Sequence, residues 1–600
     1  MRLSKNARFW LPVVGLLIIA AYSSYSMIKA HFIIDLDRLP QYDYYKKIPP
    51  IRGGIYCSPL GRAPHPIVKS MPCWEYRFDP VAITQSVVRI RGTKKIRTPR
   101  AQAKTIADVL KLPREEVYSM MNKTKGPGFR NQFLAVSDDR RIYDILSDRH
   151  IVSGIKIGET YQRRYFESNR LCHVVRGVNE KYNTLLRGMP GEIRGKQDAN
   201  RILIKDKIDV NTPAKPGVDV YLTVDHFLQK IVEDELKSGI VEFGAGAGWC
   251  VILDVKTGRV LSMASYPDFD IEGKYDKDNP ALANRVLNYM YEPGSVMKVI
   301  TAAAAIDAGF ARPETVYTTN RDEKNARGEN KYARLPRDSH ALPPKITLRD
   351  AIVESSNIVI GKLGYDFGPK RVYEYIKKFG FGERVGIELP GEKPGILHHY
   401  SKWDRLTWSR APIGQGVAVT ALQMASAYQA IANGGIRKKP YIIDRIIDAD
   451  GNNLHVRNED PGERVISPSA AYSTRKMMLG VATKEGTARR AKVKGYSVAG
   501  KTGTAQKSKP KSQGKGYAEG LYIATFCGIV PSGVEKRYPD DAQCVPPEVV
   551  ILVSLDFDEK RLYHAGGNSA GPVFKRIAEK AMRYLEISPD RLNELEDEDI

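Results

Sequence analysis

Apolar and polar positions change rhythm three times along the chain. An apolar run from Phe9 to Ile28, broken only by Pro12 and a few Ser and Tyr, follows Arg2, Lys5 and Arg8. Its 20 residues, at about 1.5 Å rise each, reach across a hydrocarbon core of roughly 30 Å. The leading cations keep the N-terminus in the cytoplasm and send the rest outward. A cleaved signal peptide is the alternative. The run is long for one, and its exit, Tyr22-Ser23-Ser24-Tyr25-Ser26, shows no small-x-small site. The pattern therefore predicts a cytoplasmic tail over 1–8 and a retained anchor over 9–28, with no second run of comparable length.

Residues 29–218 are polar, basic and irregular. Short alternating runs such as Val87-Val88-Arg89-Ile90 mix with helix-like ones such as Thr105 to Leu112, which predicts an elongated mixed α/β region. The rhythm changes near Pro216-Gly217. Leu222-Thr223-Val224 is strand-like, and Asp225 can cap a helix presenting Phe227, Leu228, Ile231, Val232 and Leu236. Gly248 to Val255 and Arg259 to Ser265, joined by Lys256-Thr257-Gly258, read as a hairpin. Three more strands are predicted at Gly495 to Gln506, Leu521 to Val530 and Glu548 to Asp556, then a helix with Pro572 in its first turn. Between the two strand groups the pattern is helical, as in Val299 to Ala308 and Thr420 to Asn433. Strands from both ends enclosing a helical insert predict one sheet plus a helical subdomain over 219–588. An acidic tail over 589–600 is expected to be disordered. There are no internal repeats.

At 600 residues the chain is too long for a single core. Its formal net charge of +24 favours anionic partners. An outward-facing chain excludes nucleic acid as the usual one. The densest basic stretch, Arg89 to Arg100, then reads as a solvated loop or strand face, with acidic lipid or cell-wall polymer as its other reading. The cysteines have no CxxC spacing and no histidine cluster, which argues against zinc. A bridge is allowed outside the cytoplasm, and Cys57 with Cys73 or Cys527 with Cys544 are the pairs close in sequence. Cys250 and Cys527 fall in apolar runs that suit buried thiols.

A serine becomes a nucleophile when a neighbouring base takes its proton, and a lysine can do so if its amine is neutral. Ser-x-x-Lys puts the two on one helix face. The pattern begins at Ser26, Ser153, Ser295, Ser473, Ser508 and Ser512, so context must choose. Only Ser295 follows Pro293-Gly294 and opens an apolar helix, where free N–H groups favour negative charge. Its lysine is Lys298. Ser355-Ser356-Asn357 is a polar triplet in an apolar helical context. It reads as a helix cap, or as Ser355 bonded to Lys298 with Asn357 contacting a substrate amide. Lys-Thr-Gly occurs twice. Lys256-Thr257-Gly258 suits a turn, whereas Lys501-Thr502-Gly503-Thr504 lies in a strand of small residues that a ligand can approach. There Lys501 can bind a carboxylate, and the N–H groups of Ser295 and Thr504 can form an oxyanion hole.

Ser-x-x-Lys, Ser-x-Asn and Lys-Thr-Gly in that order resemble the penicillin-binding proteins and serine β-lactamases. Tyr291 to Lys298, Gly414-Gln415-Gly416, Ala432-Asn433-Gly434-Gly435 and Gly500 to Gln506 narrow the resemblance to class B penicillin-binding proteins of the FtsI-like type, over about 220–587. Arg52-Gly53-Gly54-Ile55-Tyr56 resembles the start of that family's pedestal, or dimerisation, domain over 29–218. Cys57 and Ser58 depart from its pattern, as do Asn179 and Asn183, which stand where acidic residues are expected.

The resemblance implies an α+β, multidomain chain with an antiparallel five-stranded sheet flanked by helices and an all-helical subdomain. It implies a peptidoglycan D,D-transpeptidase, with Ser295 attacking the penultimate D-alanine carbonyl of a stem peptide. Lys298 would be the base and Ser355 the relay to the leaving amine. Asn357 would face the substrate amide. Lys501 with Thr502, Gly503 and Thr504 would hold the substrate and its carboxylate. It implies β-lactams as inhibitors, no metal or cofactor, an inner-membrane location and a division role. A separate membrane glycosyltransferase and other division proteins would be partners. A D-alanine carboxypeptidase or β-lactamase-like hydrolase, and a β-lactam sensor or division scaffold without turnover, are the alternatives.

Overall fold

The computed structural model describes residues 16–24 and 42–594, apart from 60, 84–85, 91–92, 123–130, 149–151, 199–202, 333–334, 510–515, 536–543, 559–564 and 593. Residues 16–24 are helical. The rest of the expected anchor lies outside the described residues, and among those described no helix is long and apolar enough to cross a membrane.

The chain forms two compact units. The smaller comprises residues 1–51 and 187–217. It carries a three-stranded antiparallel sheet in which Gly191–Gln197 lies between Tyr42–Ile48 and Leu203–Thr212. Every residue of the two outer strands is at least partly exposed, and only Gly191 and Gly195 of the central strand are buried.

The larger unit comprises residues 52–186 and 218–600. One of its sheets has seven strands and draws on sequence before and after residue 218. Ile55–Cys57 pairs in parallel with Asp219–Leu222, which pairs antiparallel with Ile443–Ile447. On its other side Ile55–Cys57 meets His65–Phe78, which carries Gln132–Ser137 and Ile155–Tyr165. A small core of Tyr76, Phe78, Ile106, Ala107 and Val117 fills the space under the helix Pro99–Leu110. The basic stretch forms a hairpin, Ser86–Ile90 against Thr93–Arg97, leading into that helix.

All described cysteines are free thiols. The pairing of Cys57 with Cys73 fails on geometry. Cys57 is opposite His65 in the ladder, and Cys73 lies eight residues further along the same strand. At about 3.3 Å per residue that is roughly 26 Å, far beyond the reach of a bridge.

The other sheet is the frame of the site. Its strands are β1 (Ala247–Asp254), β2 (Val260–Tyr266), β3 (Ala499–Ser508), β4 (Tyr517–Val530) and β5 (Val549–Phe557), in the antiparallel order β2-β1-β5-β4-β3. Helix α1 (His226–Phe243) and the final helix α5 (Ala570–Tyr584) pack on it. Asp225 caps α1, accepting the N–H of Phe227 at 3.0 Å and of Leu228 at 3.1 Å. Lys256-Thr257-Gly258 is the β1–β2 turn, held by Asp254 Oδ1, which accepts the Thr257 N–H at 2.7 Å. Phe526 of β4 meets Phe574 of α5 edge-on at 4.6 Å. A Cβ at Gly500 or Gly528 would stand 2.4 and 2.6 Å from those two rings, so glycine is what lets the aromatic pair close.

The insert holds α2 (Met297–Asp307), α3 (Asn357–Phe367) and α4 (Ala421–Ala432). It is not all-helical, because Val316–Thr318 and Lys345–Thr347 form a two-stranded sheet within it. Each strand is three residues long, too short for alternation to show in sequence. The acidic tail is also docked at its start. The Asp590 carboxylate is buried and accepts the Ser497 N–H at 2.7 Å and the Ser497 hydroxyl, while Arg591 N–H donates to Gly495 O at 3.1 Å. Residues 595–600 lie outside the described residues.

Candidate active site

Ser295 occupies a single 3-10 turn, Gly294–Val296, immediately before α2. Gly294 has φ +56°, a left-handed value that a side chain resists, and a Cβ there would press on Thr504 O at 3.3 Å. Its N–H donates to Gly414 O at 3.2 Å, which fixes the turn against the Gly414-Gln415-Gly416 loop. Tyr428 of α4, fully buried, donates its hydroxyl to Val296 O at 3.0 Å. The nucleophile candidate therefore stands on a turn gripped from two sides, and remains partly open to the cleft.

Lys298 follows one turn later on α2 and is 1% exposed. Its ammonium donates to Ser355 O at 2.5 Å, Ser355 Oγ at 3.2 Å and Asn357 Oδ1 at 2.7 Å. The polar triplet both caps a helix and bonds Lys298. Ser356 caps α3, its hydroxyl accepting the Val359 N–H at 3.1 Å, while Ser355 and Asn357 face the lysine. The price is strain. Ser355 has φ +61°, a conformation that costs a non-glycine residue about 1–3 kcal/mol.

β3 closes the other wall. A Cβ at Gly503 would meet Pro293 O at 3.0 Å and Val296 Cγ1 at 3.3 Å, so only glycine lets the strand lie this close to the Ser295 turn. Thr504 is exposed, and its Oγ1 accepts the Gly566 N–H at 3.1 Å. Ser295, Ser355, Asn357, Thr502 and Thr504 line one cavity of about 460 Å³. Lys501 stands behind it. It is wholly buried, with its ammonium 3.3 Å from Thr502 Oγ1, so Thr502 is the outward part of that pair.

Two buried ammonium groups are costly. Burial pushes Lys298 well below its ordinary pKa, Lys501 pushes it further down, and Asp338 pulls the other way. Burial alone brings Lys501 down to about 7. A lysine disposed to be neutral beside a serine can accept its proton, and a second one near neutrality can take up charge when a carboxylate arrives. Among the described residues no cluster of His, Cys, Asp and Glu could hold a metal.

Four residues of the site escaped sequence reasoning. Asp338 accepts the Asn357 N–H at 2.5 Å, the Ile358 N–H at 3.1 Å and the Ser356 hydroxyl at 3.0 Å. Thr487 Oγ1 is 3.2 Å from Thr502 Oγ1. Glu292 accepts the Gly416 N–H at 2.8 Å and the Tyr517 hydroxyl at 2.8 Å. Gly566 lies so near β3 that a Cβ would meet Gly503 O at 2.5 Å. The glycine pair Gly566-Gly567 before the final helix was a usable signal of close approach. Asp338 and Thr487 carry none.

A five-stranded antiparallel sheet, a helical insert and a cleft lined by Ser295, with Lys298 buried behind Ser355 and Asn357, define the penicillin-recognising serine acyl-transfer proteins as the class. The family model described as penicillin binding protein transpeptidase domain matches residues 248–579, and the chain belongs to this family, in its class B, FtsI-like branch. It is 32% identical to penicillin-binding protein PbpB of Mycolicibacterium smegmatis over 70% of this chain and 63% of that one. It is also 32% identical to stage V sporulation protein D of Bacillus subtilis over 84% and 76%. The match thus spans somewhat under two thirds of the first relative's length and about three quarters of the second's. Among solved structures, penicillin binding protein 3 of Mycobacterium tuberculosis complexed with aztreonam is similar at 25% identity, with a TM-score of 0.65 over 91% of this chain and 98% of that one.

Proposed function

We propose that the chain is a peptidoglycan D,D-transpeptidase that cross-links stem peptides through an ester on Ser295. The observation that carries this is Lys298, buried and disposed to neutrality one helical turn from Ser295 and fixed on Ser355 and Asn357. Lys298 takes the Ser295 proton as Oγ attacks the penultimate D-alanine carbonyl. The N–H groups of Ser295 and Thr504 receive the oxyanion. The C–N bond breaks, and the proton passes from Lys298 through the Ser355 hydroxyl to the leaving D-alanine amine. An amine of a neighbouring stem then attacks the ester, losing a proton to Lys298, and Ser295 is released with its hydroxyl restored. Thr502, backed by Lys501, receives the donor's terminal carboxylate. Asn357 holds the stem amide.

Relatives described as probable peptidoglycan D,D-transpeptidase PenA, from Neisseria meningitidis, support the substrate class at 29% identity over 72% of this chain. The aztreonam complex of the Mycobacterium tuberculosis protein supports β-lactams as inhibitors. The FtsI-like motifs of the chain support a septal role. The Phe9–Ile28 run and its leading cations support an inner-membrane anchor with the cleft outside, where a membrane glycosyltransferase and division proteins would work beside it.

Labelling by a fluorescent penicillin tests the site. Label is expected on the wild type and absent from a folded Ser295→Ala variant. Product analysis from a D-Ala-D-Ala donor tests the reaction. Amine-dependent cross-linked product supports transpeptidation. Hydrolysis alone supports the carboxypeptidase alternative, and labelling without turnover supports the sensor.

A further inference from the structure

Ser339 is exposed and lines the same cavity as Ser295. Its hydroxyl oxygen lies 3.1 Å from Nδ1 of His340, and Nε2 of that ring lies 3.1 Å from Oε2 of Glu354. A carboxylate only accepts, so the hydrogen of the neutral imidazole is assigned to Nε2 and is given to Glu354. Nδ1 then keeps a lone pair, and the Ser339 hydroxyl donates to it. The three side chains form a serine–histidine–carboxylate chain whose serine end opens into the cleft.

Both ends of this chain are fixed on groups of the site. Arg337 O accepts the Asn357 side-chain N–H at 2.7 Å, and the Asp338 carboxylate accepts the Asn357 backbone N–H at 2.5 Å. The segment that carries Ser339 and His340 is thereby held to the start of α3. Glu354 directly precedes Ser355, which is bonded to Lys298. The His340 side chain is half-exposed, so its ring can pass a proton on to water.

The acceptor half of the reaction has a proton to place. A lysine-like amine titrates at about 10.4, so at pH 7 only about one acceptor in a few thousand is neutral. The ammonium has no lone pair. It must lose one proton before it attacks the ester and a second as the new C–N bond forms. Lys298 can take the second, which returns to Ser295 when the serine is released. A second base is needed for the first.

We propose that Ser339, acting with His340 and Glu354 behind it, takes the first proton from the acceptor ammonium and so prepares cationic stem amines for transfer. This rests on the transpeptidase reading and completes its acceptor step. The ammonium donates an N–H to Ser339 Oγ. That N–H bond breaks as the Ser339 proton moves to Nδ1 of His340, and the hydroxyl is remade with the proton from the ammonium. The amine keeps the electron pair with which it attacks the Ser295 ester. Glu354 stabilises the imidazolium, which then gives its proton to water.

The test acylates the full-length protein in detergent with an activated D-alanyl thioester and follows transfer at pH 7 to two acceptors. D-Alanine arrives as an ammonium, whereas hydroxylamine is already neutral. If the wild type forms no acyl-enzyme or no amine-dependent product, the transpeptidase reading falls and the proposal with it. If it forms both, His340→Gln and Ser339→Ala are each expected to lower the ratio of D-alanine transfer to hydroxylamine transfer by roughly 100-fold, the lower end of what a positioned base contributes. Glu354→Gln keeps an acceptor oxygen for Nε2 but not the charge, and should lower the ratio less. Ser339 and His340 are exposed, so both variants are expected to fold, and melts check this. A merely structural role would slow both transfers alike. A ratio that fails to fall in either folded variant, His340→Gln or Ser339→Ala, overturns the proposal.

Discussion

The carboxylate of Asp338, on a loop of the insert, accepts the backbone N–H of Asn357, the first residue of α3, at 2.5 Å. The same carboxylate takes the Ser356 hydroxyl and the Ile358 N–H, so it sits at the N-terminus of α3, where a negative charge is favoured. This grip holds the strained Ser355 and presents it to Lys298. Asp338→Ala is expected to lower the penicillin acylation rate by about 10- to 100-fold and to cost about 1–3 kcal/mol of stability. Asp338→Asn keeps one acceptor oxygen and should fall between. Stopped-flow acylation with parallel melts checks this, and an unchanged rate in a folded Asp338→Ala would show that the carboxylate is only a cap.

The two copies of Lys-Thr-Gly provide an internal control. Lys501 is buried behind Thr502 at the cleft, while Lys256 is exposed in the β1–β2 turn. Lys501→Ala should slow acylation by carboxylate-bearing β-lactams by about 10- to 100-fold, the worth of a charge-assisted hydrogen bond. Lys256→Ala should leave the rate within twofold or so, since surface changes of this kind cost little. Equal losses at the two positions would mean that β3 is not the ligand-facing strand.

Legibility in the sequence followed the range of the contact. The β1–β2 hairpin and α1 are local, and their strands, turn and Asp225 cap stand where alternation and capping rules put them. Ser295 and Lys298 are three residues apart, one in the 3-10 turn and the other in the first turn of α2 that follows it, so their closeness along the chain could be read directly. Asp338 lies 19 positions from Asn357, with the strand Lys345–Thr347 and the short helix Leu348–Val353 between them, and no periodicity reports such a contact. Cys57 and Cys73 misled for the opposite reason. They are near in sequence, but an extended strand carries the second away from the first. Acidic composition predicts a disordered tail, while Asp590 is bound at Ser497 by a fold that composition does not describe.

Glu292 joins the Ser295 turn to two neighbours, accepting the Gly416 N–H and the Tyr517 hydroxyl at 2.8 Å each. Gln415, which lines the cleft beside Ser295, is held through Arg410 at 2.7 Å. Glu292→Ala frees the loop and should reduce acylation about tenfold while costing roughly 1–2 kcal/mol. Glu292→Gln retains a carbonyl acceptor for Gly416 and should lose less. Acylation kinetics on both variants decide the matter, and equal rates in all three proteins would remove Glu292 from the site's support.

Burial of Lys501 should leave a mark on stability that runs opposite to activity. Its ammonium titrates near 10.5 when unfolded and is brought down to about 7 in the fold by burial. Between those values the unfolded chain binds the extra proton, so stability rises with pH across this window. The cost of the buried lysine is fully present below about 7 and vanishes as pH climbs past 10.5. Its slope approaches about 1.4 kcal/mol per pH unit at most. Lys501→Met keeps the volume and removes the charge. It should therefore raise the melting temperature at pH 7 and gain progressively less toward pH 10, while losing affinity for carboxylate-bearing β-lactams. Lys298 is lowered by burial and by Lys501 together, so removing Lys501 should let its pKa climb. The acid limb of any residual acylation should then move to higher pH, because Lys298 must be neutral to take the Ser295 proton. Melts from pH 6 to 10 and an acylation pH profile on the same variant test both halves. A melting-temperature difference that does not change with pH would mean that Lys501 stays charged in the fold.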